Sequence, residues 1–338
     1  MFTRIKLSAA EFKNALLDIK SIIGKGDSSV LLLFKTTGTS LMICTTAKCT
    51  YKNYLDIEEI DGSSVEVSIN YKDVTQMLGS TGRVELEFTS YALVVYSNNI
   101  EISLPIGYGI MTEPKLPEVE FKEIPVSSYV SGLKSILSIG LSDIYKSELP
   151  IHIYKHLAVS IFPNIVIQSY VPSFPLEVAL TPDYVKLIAN FAATSVAMNG
   201  TKSMLLKKGK SVIEIPVRML NKSNDFQQYM KGLDNSFTCS IEGYSEQLRN
   251  ISKIGSNLKL KLVFHEKGLH CKAEYENTSI SLSIGDTTSA MKTAMYVPAA
   301  LYLNVIKAYG GGVVEFLYGK DIICIRNKSL ITVLRAII

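Results

Sequence analysis

The chain switches between two hydrophobic periods, and it repeats the switch three times. From Ser8 to Ile23, Phe12, Leu16, Ile19 and Ile23 fall at i, i+4, i+7 and i+11, which predicts a helix with one apolar stripe. Ser8 is its N-cap candidate, Glu11 completes the capping-box spacing, and Gly24 and Gly26 stop it. The helical period returns over Ser127 to Ile139, stopped by Gly140, and over Tyr244 to Ile254, stopped by Gly255. A period of two fills the intervals. Leu31 to Phe34 and Leu41 to Ile43 flank a hairpin signal at Thr37-Gly38. Leu258, Leu260, Leu262 and Phe264 alternate with Lys259, Lys261 and Val263, and Lys267-Gly268 is expected to turn the chain before Leu269. Ile280, Leu282 and Ile284 alternate with serines, the pattern of a sheet with one wet face.

A second, shorter helix marks the register of each repeat. It is predicted to open at Asn70-Tyr71-Lys72-Asp73-Val74 and at Thr181-Pro182-Asp183-Tyr184-Val185, both after alternating apolar residues, and at Val297-Pro298-Ala299-Ala300-Leu301. A hairpin closes each unit: Val84 to Val95 through Ser90, Met204 to Ile215 through Gly209-Lys210, and Val314 to Ile325 through Gly319-Lys320. The repeat length is roughly 110–118 residues, the size of a domain rather than of a solenoid unit. The expected fold class is α+β: three tandem copies over residues 1–118, 119–229 and 230–338, each with two helices on one face of antiparallel sheets. Pro105 to Pro125 and Val217 to Asn235 carry the breakers of linkers.

Composition narrows the classes. Apolar residues make up 47% of the chain, enough for a core in every copy. No run reaches the ~18 apolar residues of a membrane span, and Met1 to Lys6 lacks the apolar stretch of a signal peptide, so a cytoplasmic placement is expected. Five scattered cysteines read as free buried thiols. A net charge of +4 excludes a polycationic tail but leaves room for basic faces. Catalytic chemistry finds no foothold. His265-Glu266…His270 has one residue too many for the zinc-protease motif, and His152 with His156 lacks a third ligand. Cys44 and Cys49 have no second cysteine pair; Gly310-Gly311-Gly312 follows a helix instead of preceding one; Gly79 to Arg83 lacks the Lys-Ser/Thr of a P-loop. No catalytic residue, metal or cofactor is expected.

Three copies of helix, strands, helix and hairpin resemble the bacterial DNA polymerase sliding clamp, the beta subunit of the replicative polymerase. The resemblance covers essentially the whole chain. Phe2 to Ile23 resembles the family's first strand and helix. Asp225-Phe226-Gln227-Gln228-Tyr229 resembles its Phe-Pro-Asp-Tyr linker, with Gln in place of Pro, and Ile331 to Ile338 resembles its apolar C-terminal strand. The family's Asp-Gly-His-Arg-Leu stretch should fall near Gln168-Ser169-Tyr170-Val171-Pro172, where none of its polar residues is found. That divergence, with short loops and many Lys, Ile, Ser and Asn, suggests a version encoded by a phage or another mobile element, acting in a host cytoplasm if phage-encoded.

The resemblance implies a non-enzymatic processivity factor. Two chains would close head to tail into a ring of six domains around duplex DNA, tethering the replicative DNA polymerase and other motif-bearing partners; a clamp-loader ATPase would open it. A ring that slides holds DNA through few, phosphate-directed contacts. Lys20, Lys25, Lys72, Lys134, Lys186, Arg249, Lys253 and Lys307 lie on or beside the six helices off their apolar stripes and are the DNA-facing candidates. The homodimer interface implied is Ile100, Ile102 and Leu104 against Lys253 and Ile254. The partner-peptide pocket implied is Tyr170, Val171, Pro172, Gln227, Leu334, Ala336 and Ile338. The alternative is a clamp-fold scaffold or decoy that binds polymerase or loader without encircling DNA.

Overall fold

The computed structural model describes residues 2–23, 30–74, 83–97, 100–106, 109, 111–140, 150–154, 156–162, 165–171, 177–219, 226–252, 258–275 and 278–336. In chain order, β1 (Thr3–Ser8) leads into α1 (Ala9–Ile23), followed by β2 (Leu31–Thr37), β3 (Ser40–Thr46), β4 (Thr50–Gly62), β5 (Glu66–Asn70) and the single turn α2 (Tyr71–Val74). β6 (Arg83–Phe88), β7 (Ala92–Ser97) and β8 (Ile100–Pro105) close the first repeat. The second has β9 (Lys122–Glu123), α3 (Val126–Gly140), β10 (Ile151–Tyr154), β11 (Leu157–Phe162), β12 (Ile165–Tyr170), β13 (Val178–Leu180), α4 (Pro182–Phe191), β14 (Ser195–Asn199), β15 (Ser203–Lys208) and β16 (Ser211–Pro216). After β17 (Arg218–Met219) and a 3-10 turn (Phe226–Met230), the third has β18 (Asn235–Ser240), α5 (Tyr244–Ser252), β19 (Lys259–Tyr275), β20 (Thr278–Pro298), α6 (Ala299–Ala308), β21 (Val313–Tyr318), β22 (Ile322–Arg326) and β23 (Leu330–Arg335).

The expected helices form where the stripes predict them. Phe12, Leu16, Ile19 and Ile23 are buried, and Glu11 N–H points at Ser8 Oγ from 3.5 Å, a long cap. The turn expected at Lys267-Gly268 does not form: β19 runs through it from Lys259 to Tyr275 because β20 continues to pair alongside, with only register shifts between Phe264 and Lys267; opposite it Gly285 has φ +70°, and a Cβ there would lie 2.4 Å from Lys267 O.

Two compact units result. Unit 1 joins Met1–Ile124 to Asn190–Arg218, and unit 2 joins Pro125–Ala189 to Met219–Ile338, so the middle repeat contributes to both. In unit 1 the strand order is β8-β7-β6-β1-β4-β16-β15-β14-β9, with β3, β2 and β5 branching from β4. α1 covers the face of β1, β4 and β6, sealing a core of Ile5, Phe12, Phe34, Tyr51 and Leu86. In unit 2 the order is β13-β10-β11-β12-β23-β22-β21-β18. α3 packs on β11 and β12, and α6 lies against both α3 and α5. A glycine inside α3 would ordinarily cost about 1 kcal/mol against alanine. Gly132 is there because a Cβ would sit 2.3 Å from Tyr170 O.

The last strand of a repeat adds to the sheet of the repeat before it. β16 pairs with β4 through Ser211↔Asn53, Val212↔Lys52, Ile213↔Tyr51 and Glu214↔Thr50. β23 pairs with β12 through Leu330↔Ser169, Ile331↔Gln168, Thr332↔Ile167 and Val333↔Val166. Both junctions are antiparallel, and Ile213, Tyr51, Thr332 and Ile167 are fully buried in them.

Candidate nucleic-acid interface and assembly edges

The helix faces turned away from the sheets carry the basic candidates. Lys20 on α1, Lys72 on α2, Lys134 on α3, Lys186 on α4, Arg249 on α5 and Lys307 on α6 are all exposed. Lys25 and Lys253 lie outside the described residues. The helical period accounts for the exposure: each described cation sits opposite buried neighbours, as Lys134 does beside Leu133, Ile136 and Leu137.

The structure brings two of them together. Lys134 and Lys307 line one shallow groove between α3 and α6, and its other walls are Ser127, Ser131, Ser135, Ser138, Val126, Val130 and Ala308. Among the described residues, no acidic side chain lines it. Ser135 Oγ donates to Ser131 O at 3.1 Å and Ser138 Oγ to Ser135 O at 2.8 Å, so these hydroxyls are satisfied within their own helix. The groove therefore presents two cations on a neutral, short-chained carpet. Such a surface attracts phosphate and grips it weakly. Lys186 and Arg249 differ: Asp183 and Glu246 stand one turn before them on the same exposed faces and dilute their charge. The serine stripe escaped sequence reading because serines at helical spacing look like any solvated face.

The expected interface strand β8 forms the outer edge of its sheet. Ile100 is 60% exposed and Ile102 is half-buried, whereas Leu104 is buried in its own core and is no free contact. Its expected counterpart Lys253-Ile254 lies outside the described residues. A different apolar edge is visible in the third repeat: among the described residues β20 pairs with β19 alone, and Ile280, Leu282 and Ile284 are only half-buried along its first half. Their alternation with serines is, as sequence, indistinguishable from that of any sheet with one wet face.

The peptide-pocket candidates separate. Tyr170 is 47% exposed and Ala336 is half-buried, but Val171 and Leu334 are fully buried on the helix side of the sheet and cannot meet a docking peptide there. Pro172, Ile338 and the side chain of Gln227 lie outside the described residues. The opposite face of the same sheet is apolar as well: Val159, Val166, Ile322, Cys324 and Val333 cluster there, partly covered by Tyr229, Met230 and Leu233. Strand parity, which puts Val333 opposite Leu334, is the signal that distinguishes the two faces.

The remaining reactive side chains have structural settings. His265 Nδ1 meets Ser289 O and His270 Nδ1 meets Ser283 Oγ, both at 2.8 Å on the β19–β20 ribbon. Burial pushes the thiols of Cys44, Cys49, Cys271 and Cys324 up to about 12, which keeps them protonated and unreactive. Among the described residues no group of three His, Cys, Asp or Glu is placed to hold a metal, and no helix is long and apolar enough to cross a membrane.

No family model matches the chain, and no curated protein matches it. Solved structures do. The beta clamp of Helicobacter pylori in complex with 5-chloroisatin superposes with a TM-score of 0.79 at 14% identity, covering 99% of this chain and 100% of that one. The DNA polymerase III beta subunit of Thermotoga maritima gives 0.79 at 12% identity, over 99% of both chains. The sliding clamp of Caulobacter crescentus gives 0.78 at 11%, again over 99% of both. A Helicobacter pylori beta clamp bound to a DNA ligase peptide gives 0.77 at 14% identity, over 99% of this chain and 100% of that one. At such identities the likeness is one of fold: over nearly its whole length this chain has the fold of the bacterial beta sliding clamps.

Proposed function

We propose that this chain is a DNA sliding clamp without enzymatic activity. Residues 1–118, 119–229 and 230–338 are its three clamp domains, and two copies close head to tail around duplex DNA. The observation that carries the reading is the pair of open edges. Hairpin register aligns β8 with β16 and β23: Ser97↔Ile100 corresponds to Lys208↔Ser211, and Asn327 with Leu330 closes the third hairpin in the same way. Ile100, Ile102 and Ser103 are thus the counterparts of Ser211, Ile213 and Glu214. The turn into β20 aligns it with β12, since Tyr275↔Thr278 corresponds to Phe162↔Ile165. Ile280 and Leu282 are the counterparts of Ile167 and Ser169.

Within the chain, Ser211, Ile213, Ile167 and Ser169 are buried at the two junctions; at β8 and β20 Ile100 is exposed and Ile102, Ile280 and Leu282 are half-buried. Unpaired apolar edges invite a partner strand. Repeating the internal register across two copies pairs Ile102 with Ile280, Ile100 with Leu282 and Ser103 with Ser279. Each chain offers both edges, so two copies close with none left over.

In this reading the groove of Lys134 and Lys307, with Lys20, Lys72, Lys186 and Arg249, faces the DNA backbone without reading sequence. The outer apolar cluster around Val159 and Val333 receives short peptides from partners, as the ligase-peptide complex of the Helicobacter pylori clamp suggests. DNA polymerase is the principal partner, and its topological tether raises local concentration without tight DNA binding. A loader ATPase opens the ring in the cytoplasm. The test is retention on nicked circular DNA against the same DNA linearised, alongside light scattering. Retention on circles alone, at twice the chain mass, supports the clamp. A monomer that binds polymerase peptides but never stays on circles supports the scaffold or decoy.

A further inference from the structure

Residues 111–121 run beside the sheet of unit 1 without joining it. Among the described residues they make no backbone–backbone hydrogen bond; Met111 N–H donates to Ser68 Oγ at 3.1 Å. Side chains hold the segment. Met111 packs into an apolar cup of Leu33, Met42 and Cys44, with Tyr54 on its rim. Glu113 reaches Lys52 Nζ at 2.5 Å with one carboxylate oxygen and Lys35 Nζ at 3.2 Å with the other. Lys52 is only 12% exposed at its side chain, and its Nζ lies 5.5 Å from the Tyr54 ring centre. Glu113 is its one carboxylate partner among the described residues. A cation held this far from water needs an anion, and here the anion comes from a segment with little else to fix it.

Unit 2 uses the corresponding face in the same way. Register equates Cys44 with Val159, since Cys44 faces Lys52 and Val159 faces Gln168, the residues that pair with Val212 and Ile331. Val159 belongs to the cluster covered by Tyr229, Met230 and Leu233, from the second segment between repeats. Both connecting segments therefore lie across the outer face of the preceding repeat. Among the described residues, only the first delivers a carboxylate into a lysine cradle.

We propose that this cup and its two lysines form a docking site for an extended partner peptide with an apolar residue two positions before a carboxylate. Met111-Thr112-Glu113 fills the site in cis as an exchangeable strap. The tether keeps the strap at a high effective concentration, so a partner peptide binds weakly until the strap is displaced. The inference rests on unit 1 alone and stands whether or not the chain closes into a ring.

The test uses the full chain and a fluorescein-labelled peptide, Met-Thr-Glu-Pro-Lys-Leu, followed by anisotropy. The variant Met111→Ser with Glu113→Gln should bind it at least tenfold more tightly than the unaltered chain. Adding Lys35→Ser and Lys52→Ser should remove that gain, as should replacing the peptide's Glu by Gln. A cooperative thermal melt checks folding; if the double variant does not fold, Glu113→Gln alone, which empties only the cradle, should still show tighter binding. Equal binding by unaltered and strap-released chains, or no binding by a folded strap-released chain, would overturn the proposal and leave the strap as a plain element of the fold.

Discussion

The two junctions inside the chain and the two bare edges use the same strands in different company. At β4–β16 and β12–β23, Ile213 and Ile167 are covered on every side. At β8 and β20, Ile102 and Ile280 hold the matching positions and remain half-buried. The sequence around each strand is apolar in both settings, so hydrophobicity does not distinguish a covered junction from an open one. What differs is whether the chain itself supplies the next strand. The covered junctions also carry polar detail that the open edge lacks. Asp18 meets Lys208 at 3.1 Å, and Tyr51 Oη approaches Ala15 O at 3.4 Å and Ser211 Oγ at 3.5 Å. The positions of Lys208 and Ser211 are held on the β7–β8 hairpin by Ser97 and Ile100.

Substitution should separate the two kinds of junction sharply. Ile213→Asp places an unpaired charge in a sealed site and should cost on the order of 4 kcal/mol, unfolding unit 1 in a thermal or denaturant melt. Ile102→Asp at the open edge should leave the melting temperature within about 2 °C while halving the mass measured by light scattering at micromolar concentration. If Ile102→Asp unfolds the chain as Ile213→Asp does, the open edge is ordinary core.

The next effect concerns the groove between α3 and α6. Lys134→Ala with Lys307→Ala should flatten the slope of log affinity for duplex DNA against log salt by about 1.8, from ~0.9 per phosphate contact. Loss at Lys186 and Asp183 together should change it far less, because that pair is close to neutral. An unchanged slope in the lysine double variant would remove the groove from the DNA-facing surface.

The smallest effect belongs to Asp18. Burial holds its carboxyl above the usual range, and Lys208 offsets only part of that. A carboxyl raised on folding lends stability at low pH that is lost as pH rises from its unfolded value through its folded one. Asp18→Asn does not titrate. Its melting temperature relative to the unaltered chain should therefore rise as pH increases upward from the ordinary aspartate value of about 3.9. Glu113 has the opposite sign. Its hydrogen bond to Lys52, then the pull of Lys35, hold it below the usual carboxylate range. Its contribution, beside Lys35, Lys52, Glu66 and Tyr54, is present above the ordinary value of about 4.3 and fades as pH falls through the lower folded one.

Much of the fold was legible in the sequence because its signals are local. The stripe Phe12-Leu16-Ile19-Ile23 and the alternation Leu258-Leu260-Leu262 each report their own element. The site was less legible. Exposure of Lys134 and Lys307 follows from helical phase, but their convergence on one groove needs α3 and α6 side by side. Leu334 and Val333 are equally apolar neighbours, and only the pairing of β23 with β12 decides which one faces the core. Glu113 lies in a stretch that reads as linker; its two lysine partners come from strands more than sixty positions earlier in one case and nearly eighty in the other, and no period connects them.

The central claim, closure of β8 on β20 of a second copy, is tested most directly by one cross-link. Ser103→Cys and Ser279→Cys should be placed in the same full chain, oxidised and weighed under denaturing conditions. The account predicts a covalent product of twice the 37.3 kDa chain, absent when Ser281→Cys replaces Ser279→Cys in a slipped register. Monomer alone, or an open ladder of higher multiples, would contradict it.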